Sequence, residues 1–234
     1  MRLIVLAAAI AFVPATAFAG VDQLLVNPGL EWPSDAPSTS DLIHAWTLVE
    51  PSLDSNGAAV NSATFASFAN HTPGGDRGLW LRSFEGGFGA DAPATVDATL
   101  YQDIVIFSGV EYTLSAWFRF EANYTSAATL LTMQFLDSEM NEIATTTLDI
   151  NTVNANDGVW REFSIATVSA PGSVILRSSV SMVDGQNAGL NPQSAFVDDF
   201  TLSAFVPAPG ASAVLALGFI AARRRRIPDQ RSHA

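Results

Sequence analysis

From Val21 to Phe205 apolar and polar positions alternate in short runs, including "ATFASFA", "GLWLRSF", "TLYQDIVIF", "EYTLSAWFRFE", "ATLLTMQFL", "EIATTTLDI", "VWREFSIATV", "SVILRSSVSMV" and "AFVDDFTLSAF". The runs are rich in β-branched and aromatic residues, and Gly, Pro, Asn, Asp and Ser separate them. No stretch sustains a helical period. The pattern predicts an all-β chain folded as an antiparallel jelly-roll β-sandwich.

A period of two assigns each strand its faces. In "YTLSAWFRF", Tyr112, Leu114, Ala116, Phe118 and Phe120 share a core side, while Thr113, Ser115, Trp117 and Arg119 share the other. In "LWLRSF", Trp80, Arg82 and Phe84 alternate on one face, with Leu79 and Leu81 behind them. In "AFVDDFTLS" the same rule puts Asp198 with Phe196, Phe200 and Leu202 on the core side and turns Asp199 outward. "DSEMNE", Asp137 to Glu142, reads as a polar hairpin turn, and Pro33–Asp41 and Asp184–Ser194 read as long loops at the ends of the sandwich.

The two termini follow different rules. Arg2, the apolar run "LIVLAAAIAFV" and "AFA" at Ala17–Ala19 have the layout of a secretory signal peptide over residues 1–19, cleaved before Gly20. At the other end, Pro207 and Pro209 precede 13 residues, Gly210–Ala222, and then Arg223, Arg224, Arg225 and Arg226. As a helix this run would span about 20 Å, short of a ~30 Å hydrocarbon core, so it predicts a short hydrophobic helix that pauses in the membrane. The arginines favour the cytoplasmic face. Residues 227–234 form a tail, and a weak permanent anchor is the alternative reading.

Residues 206–226 resemble the PEP-CTERM sorting signal, although "PAP" stands for Pro-Glu-Pro and "IPDQRSHA" continues past the arginines. The resemblance implies transient contact with the inner membrane, processing by an exosortase-type enzyme, and delivery to the cell surface or extracellular matrix.

Between the two terminal segments, residues 20–205 carry five arginines against 22 acidic residues, a formal charge of −17 compared with −12 for the whole chain. Such a surface repels nucleic acid, anionic lipid and acidic polysaccharide and favours cations and neutral ligands. There is no cysteine. An exported domain of this kind has no disulfide framework and must rest on its core, helped where possible by a metal.

In order, "VNPGLEW", "GDRGLWLRS", "LYQDIVIFSGVEYTLSAWFRF", "VWREFSI" and "AFVDDFTLS" resemble the jelly-roll carbohydrate-binding modules appended to xylanases and other secreted polysaccharide-degrading enzymes, a galactose-binding-like architecture. Pro28 stands where glycine is usual in the opening motif. The resemblance implies a polysaccharide partner and a structural calcium ion where the first and last strands meet. Glu31 and Asp198 match the family positions, and Asp76 and Asp199 could add oxygens. Calcium needs about six to eight such ligands; without it these acids would simply be hydrated strand ends.

Sugar recognition needs aromatic rings that stack on pyranose faces, edged by hydrogen-bonding groups. Trp80, Arg82, Phe84, Trp117, Arg119 and Gln134 form the candidate ligand face, and the competing reading is a second core layer under a loop. Trp32 and Trp46 offer an alternative ligand surface at one end. Catalysis has little support. Asp137, Glu139 and Glu142 fall in a polar turn, no nucleophile elbow occurs, and His44, His71 and His233 do not make a zinc site. The ranked readings are a non-catalytic carbohydrate-binding-like surface protein, a structural matrix protein without sugar binding, and a divergent glycan-cleaving enzyme.

Overall fold

The computed structural model describes residues 19–21, 23–31 and 44–206. The predicted signal peptide up to residue 18, Pro207, Pro209, Arg223–Arg226 and Trp32 lie outside these residues.

Eleven strands are described: β1 (Ala19–Val21), β2 (Thr47–Val49), β3 (Ala63–Ala66), β4 (Gly78–Leu81), β5 (Val96–Val105), β6 (Glu111–Phe120), β7 (Ala128–Leu136), β8 (Glu142–Asp149), β9 (Arg161–Val168), β10 (Ile175–Gly185) and β11 (Ala195–Val206). One sheet runs β3-β4-β11-β6-β9, with β1 on β11, and the other runs β2-β5-β10-β7-β8. From β4 onward the chain passes repeatedly from one sheet to the other, so strands close in sequence face each other across the core. This is the antiparallel jelly-roll sandwich that the alternation predicts. Three short 3₁₀ turns, Ser67–Ala69, Ser83–Glu85 and Ile150–Thr152, are the helical elements among the described residues.

Period-two faces meet in the middle. Leu79 and Leu81 of β4, Leu114 and Phe118 of β6, and Phe200 and Leu202 of β11 pack towards Leu100 of β5, Leu131 and Met133 of β7, and Leu176 and Val180 of β10, all fully buried or nearly so. Burying each large apolar side chain stabilises the fold by roughly 1.5–3 kcal/mol, which is how a domain without disulfides holds together. Trp46 belongs to this core at 6% exposure, its indole N–H bonded to the Asn27 carbonyl at 2.9 Å and its ring 4.7 Å from Phe200. It therefore offers no ligand surface.

The hairpin predicted at Asp137 is present. The Asp137 carboxylate accepts the Glu139 and Asn141 amides at 2.8 and 2.9 Å, and Met140 takes a left-handed φ of 68°. The Asn141 and Glu139 bonds hold its pKa below the ordinary value, as expected for a capped, solvated turn.

One prediction of facing fails, in β11. Ala195 and Val197 point into the core, as do Phe200, Leu202 and Ala204, so two residues instead of one separate Val197 from Phe200. Asp199 has a φ of 48°, and this left-handed step reverses the alternation. Phe196 therefore faces outward, opposite Trp80 in the ladder. Asp198 is buried beneath the loop at His71 and Thr72 and does not point into the core with Phe200.

Candidate functional site

The outer face of the six-stranded sheet carries a chain of rings and cations. Phe68 meets Trp80 edge-on at 4.9 Å and Phe196 at 5.9 Å. Arg119 places its guanidinium 4.2 Å from the Phe196 ring centre and 5.1 Å from that of Trp160, and donates to the Phe68 carbonyl at 2.9 Å. His71 stacks on Trp117 at 4.2 Å and tilts against Trp160 at 5.0 Å. Strand alternation is what brings them together: β4 presents Trp80, β11 Phe196, and β6 Trp117 and Arg119. Burial pulls the Arg119 pKa below its ordinary value, and the neighbouring Glu121 carboxylate opposes that shift.

A cleft of about 790 Å³ opens beside this layer. Phe68, Trp80, Phe84, Phe88 and Phe196 give it an aromatic side. Arg119, Glu121, Asn187, Asn191 and Gln193 give it a polar side. The polar loop is held in shape internally. Gln193 donates to Asn187 at 3.1 Å and to Asn191 at 3.3 Å and accepts the Ala188 amide at 2.7 Å, while Glu121 accepts the Ser194 amide at 2.8 Å. The rings that meet solvent are Phe68, 55% exposed, and Phe88, 62% exposed. Volume, aromatic lining and convergent polar groups are those of a small-ligand site.

The sequence-predicted ligand residues divide four ways. Trp80, Phe84 and Arg119 line the cleft. Arg82 stands over Trp80 and Phe84, 5.0 and 5.2 Å from their ring centres, and is tied to Glu85 and Asn61. Trp117 is covered by His71, so that face of its ring cannot take a sugar. Gln134 is separated from all of them: it lies on β7 of the five-stranded sheet and bonds Glu142. The single face expected from sequence included Gln134, and the structure removes it, because sequence alternation shows which side of a strand a residue takes but not which sheet the strand joins. Sequence reasoning missed Phe68 and Phe88: the run "ATFASFA" reads as one strand through Phe68, but the strand stops at Ala66, and Phe88 lies in a glycine-rich segment with no alternation. Phe68 sits in the Ser67–Ala69 turn.

A second group lies where the opening segment meets β11. Asn27 and Leu30 adopt left-handed φ values of 52° and 56°, making the turn that Pro28 cannot make, and the Asn27 side chain clasps the Glu31 amide at 2.9 Å. Glu31 thereby reaches the 70–76 loop, where one of its oxygens accepts the Asp76 amide. Its other oxygen, Oε1, is buried without a hydrogen-bond donor, as are Asn70 Oδ1 and Asp198 Oδ1. Glu31 Oε1 and Asn70 Oδ1 converge on Gly75, where an added Cβ would overlap the first and lie 2.8 Å from the second. The other oxygen of Asp198 accepts the His71 and Thr72 amides at 2.7 and 3.1 Å.

Burial lifts the Asp198 pKa to about 6, against those amide bonds. Asp199 turns to the outer side of the same loop, 2.6 Å from His71 Nδ1 and bonded to the Thr72 hydroxyl, so both of its oxygens are engaged. The Asp76 side chain is exposed and only its backbone takes part. No cluster of three His, Cys, Asp or Glu residues suited to a metal occurs among the described residues. Glu31 Oε1 and Asn70 Oδ1 pair a carboxylate with an amide oxygen, and Asp198 Oδ1, under the His71 and Thr72 backbone, is a further buried oxygen without a donor; all three have the hard oxygen chemistry that calcium takes.

No family model matches the chain, and no curated protein matches it. Solved structures do. A Stig cyclase, Fisc, from Fischerella sp. TAU, in complex with (3Z)-3-(1-methyl-2-pyrrolidinylidene)-3H-indole, aligns with a TM-score of 0.51 at 16% identity, over 81% of this chain and 100% of that one. TmCBM61 in complex with beta-1,4-galactotriose aligns with a TM-score of 0.46 at 14% identity, over 77% of this chain and 97% of that one. The enzymatically active domain of tailspike protein 4 from bacteriophage CBA120 aligns with a TM-score of 0.48 at 14% identity, over 76% of this chain, which spans only 22% of that domain. At 16% identity the likeness to the cyclase is one of fold alone.

Proposed function

We propose that this domain is an exported, non-catalytic carbohydrate-binding domain for a neutral glycan. The observation that carries the reading is the cleft on the outer face of the six-stranded sheet, where exposed Phe68 and Phe88 stand opposite Arg119, Glu121, Asn187 and Gln193. Aromatic faces suit the C–H faces of pyranose rings, and the polar wall supplies donors and acceptors for hydroxyl groups. The acidic balance of the domain favours a neutral polysaccharide over an anionic one.

Binding without turnover is favoured over hydrolysis. A glycosidase needs one carboxyl group lifted to serve as acid. Of the carboxylates at the cleft, Asp157 is instead paired with Arg161, which holds its pKa down, and Glu121 accepts the Ser194 amide, so both are engaged as acceptors.

We assign Glu31, Asn70 and Asp198 as the residues that would hold a structural calcium ion, on the strength of their buried, donorless oxygens. The ion would fix the 70–76 loop and, through it, the neighbouring turn that carries Phe68. The terminal segments fit export and exosortase-type sorting to the cell surface or matrix, with a transient inner-membrane stage.

The test is retention of the purified protein on immobilised neutral polysaccharides (β-1,4-galactan, xylan, mannan and glucan), with calcium and with chelator. Retention that is lost in Phe68→Ala and Phe88→Ala is expected. A calcium-replete, folded protein retained by none of them would favour the structural-matrix reading.

A further inference from the structure

We propose that the cleft continues into a second, polar subsite and therefore reads a run of sugars in a chain instead of a single residue, an inference that rests on the glycan-binding reading above. A second cleft of about 380 Å³ borders the first and shares Arg119, Glu121 and Pro192 with it. Ligand sites of about 300–1,000 Å³ hold a drug-sized molecule, so the 790 Å³ cleft already exceeds one pyranose ring, and the neighbouring space adds room for at least one more.

The two spaces differ in chemistry. The first has an aromatic wall, whereas Arg119, Glu121, Asp157 and the Gly158 turn line the second, with no aromatic ring among them. A sugar in the first is held by its face; a sugar in the second is held by its hydroxyl edge.

The second subsite is rigid. Asp157 Oδ1 accepts from Arg161 at 2.9 Å and from the Val159 amide at 3.1 Å, while Oδ2 accepts from Arg161 at 2.6 Å and keeps a lone pair for a hydroxyl donor. Gly158, at a φ of 73°, donates to the Phe120 carbonyl at 2.8 Å, and Asn123 donates to the Pro192 carbonyl at 3.0 Å, which pins the wall on both sides. Arg119 stands at the junction, gripped between Phe196 and Trp160, with one donor on the Phe68 carbonyl and the rest of its fork available. Two carboxylates at this end also select against uronates, so the chain that fits is neutral.

The experiment is titration calorimetry of the purified protein with oligosaccharides of two to six units, prepared from whichever polysaccharide in the panel above retains it. Affinity is expected to rise about tenfold between two and four units, the scale of one or two charge-assisted hydrogen bonds. Asp157→Asn should remove most of that length-dependent gain and leave the shortest ligand unchanged; Glu121→Gln, on the wall that both clefts share, should remove the gain and weaken the shortest ligand as well, while Phe68→Ala should weaken every length alike. Circular dichroism of each variant checks that it is folded. Affinity flat with length, or a gain that survives both polar substitutions, overturns the second subsite while leaving the aromatic site standing. Retention by no polysaccharide overturns both.

Discussion

The indole of Trp117 lies against the imidazole of His71, ring centres 4.2 Å apart and planes 19° from parallel, and that imidazole is also 2.6 Å from Asp199. A tryptophan on the outward face of a sandwich strand has the chemistry of a sugar platform, but this one holds a loop in place. That loop begins at Asn70, directly after the turn carrying Phe68, so under the proposed glycan-binding reading Trp117 would serve recognition through architecture and Phe68 through contact.

The two rings should respond differently to truncation. Trp117→Ala should destabilise the fold by about 3 kcal/mol, as large-to-small changes under a packed layer do. Phe68→Ala, at a half-exposed position, should cost under about 1 kcal/mol of stability yet weaken glycan binding roughly tenfold. Urea denaturation and calorimetry on the same variants separate the two effects; equal losses of stability would contradict the division of roles.

Asp198 should make stability depend on pH and on calcium in opposite senses. Its folded pKa of about 6 lies above the ordinary 3.8, so between those values the folded state binds more protons than the unfolded chain. Without calcium, stability should therefore fall as pH rises from about 4 to 6, by about 3 kcal/mol in all. Calcium favours the ionised carboxylate, so it should raise Tm more at pH 7 than at pH 4.5. Asp198→Asn should remove both effects, and a Tm at pH 7 indifferent to calcium would refute the ion assignment.

Gly78 tests the packing that carries Trp80. An added Cβ there would overlap the Ala69 carbonyl oxygen and approach that of Val197 to 3.2 Å, both fixed backbone atoms. Gly78→Ala should destabilise by about 2–3 kcal/mol, measured by chemical denaturation. A loss below about 0.5 kcal/mol would mean that β4 can move away from its neighbours.

Much of this architecture was legible in the sequence. Alternation in "YTLSAWFRF" placed Leu114 and Phe118 inside and Trp117 and Arg119 outside, as the sandwich has them. Alternation is a local rule, however, and it failed at two kinds of place. At Asp199 one left-handed residue reversed the faces of β11 and sent Phe196 into the cleft wall. Gln134 and Trp80 obey the rule on their own strands but belong to different sheets, and sheet membership depends on pairings far apart in sequence. Phe68 closes the run "ATFASFA", whose strand ends at Ala66, and Phe88 lies in a segment without alternation, so only the assembled cleft brings the two rings together. Asn70 was equally invisible, since an amide carries no charge signal until its oxygen is found buried beside Glu31.

The most direct test of the central claim is amide hydrogen exchange on the purified protein, with and without a saturating amount of the polysaccharide fragment that retains it. The account predicts protection concentrated at Ser67–Ala69, Glu85–Phe88 and Asn187–Phe196, the segments around the cleft. Protection falling instead on the outer face of the five-stranded sheet, around Thr132, Gln134 and Arg177, would show that the glycan binds the opposite side of the sandwich and would contradict it.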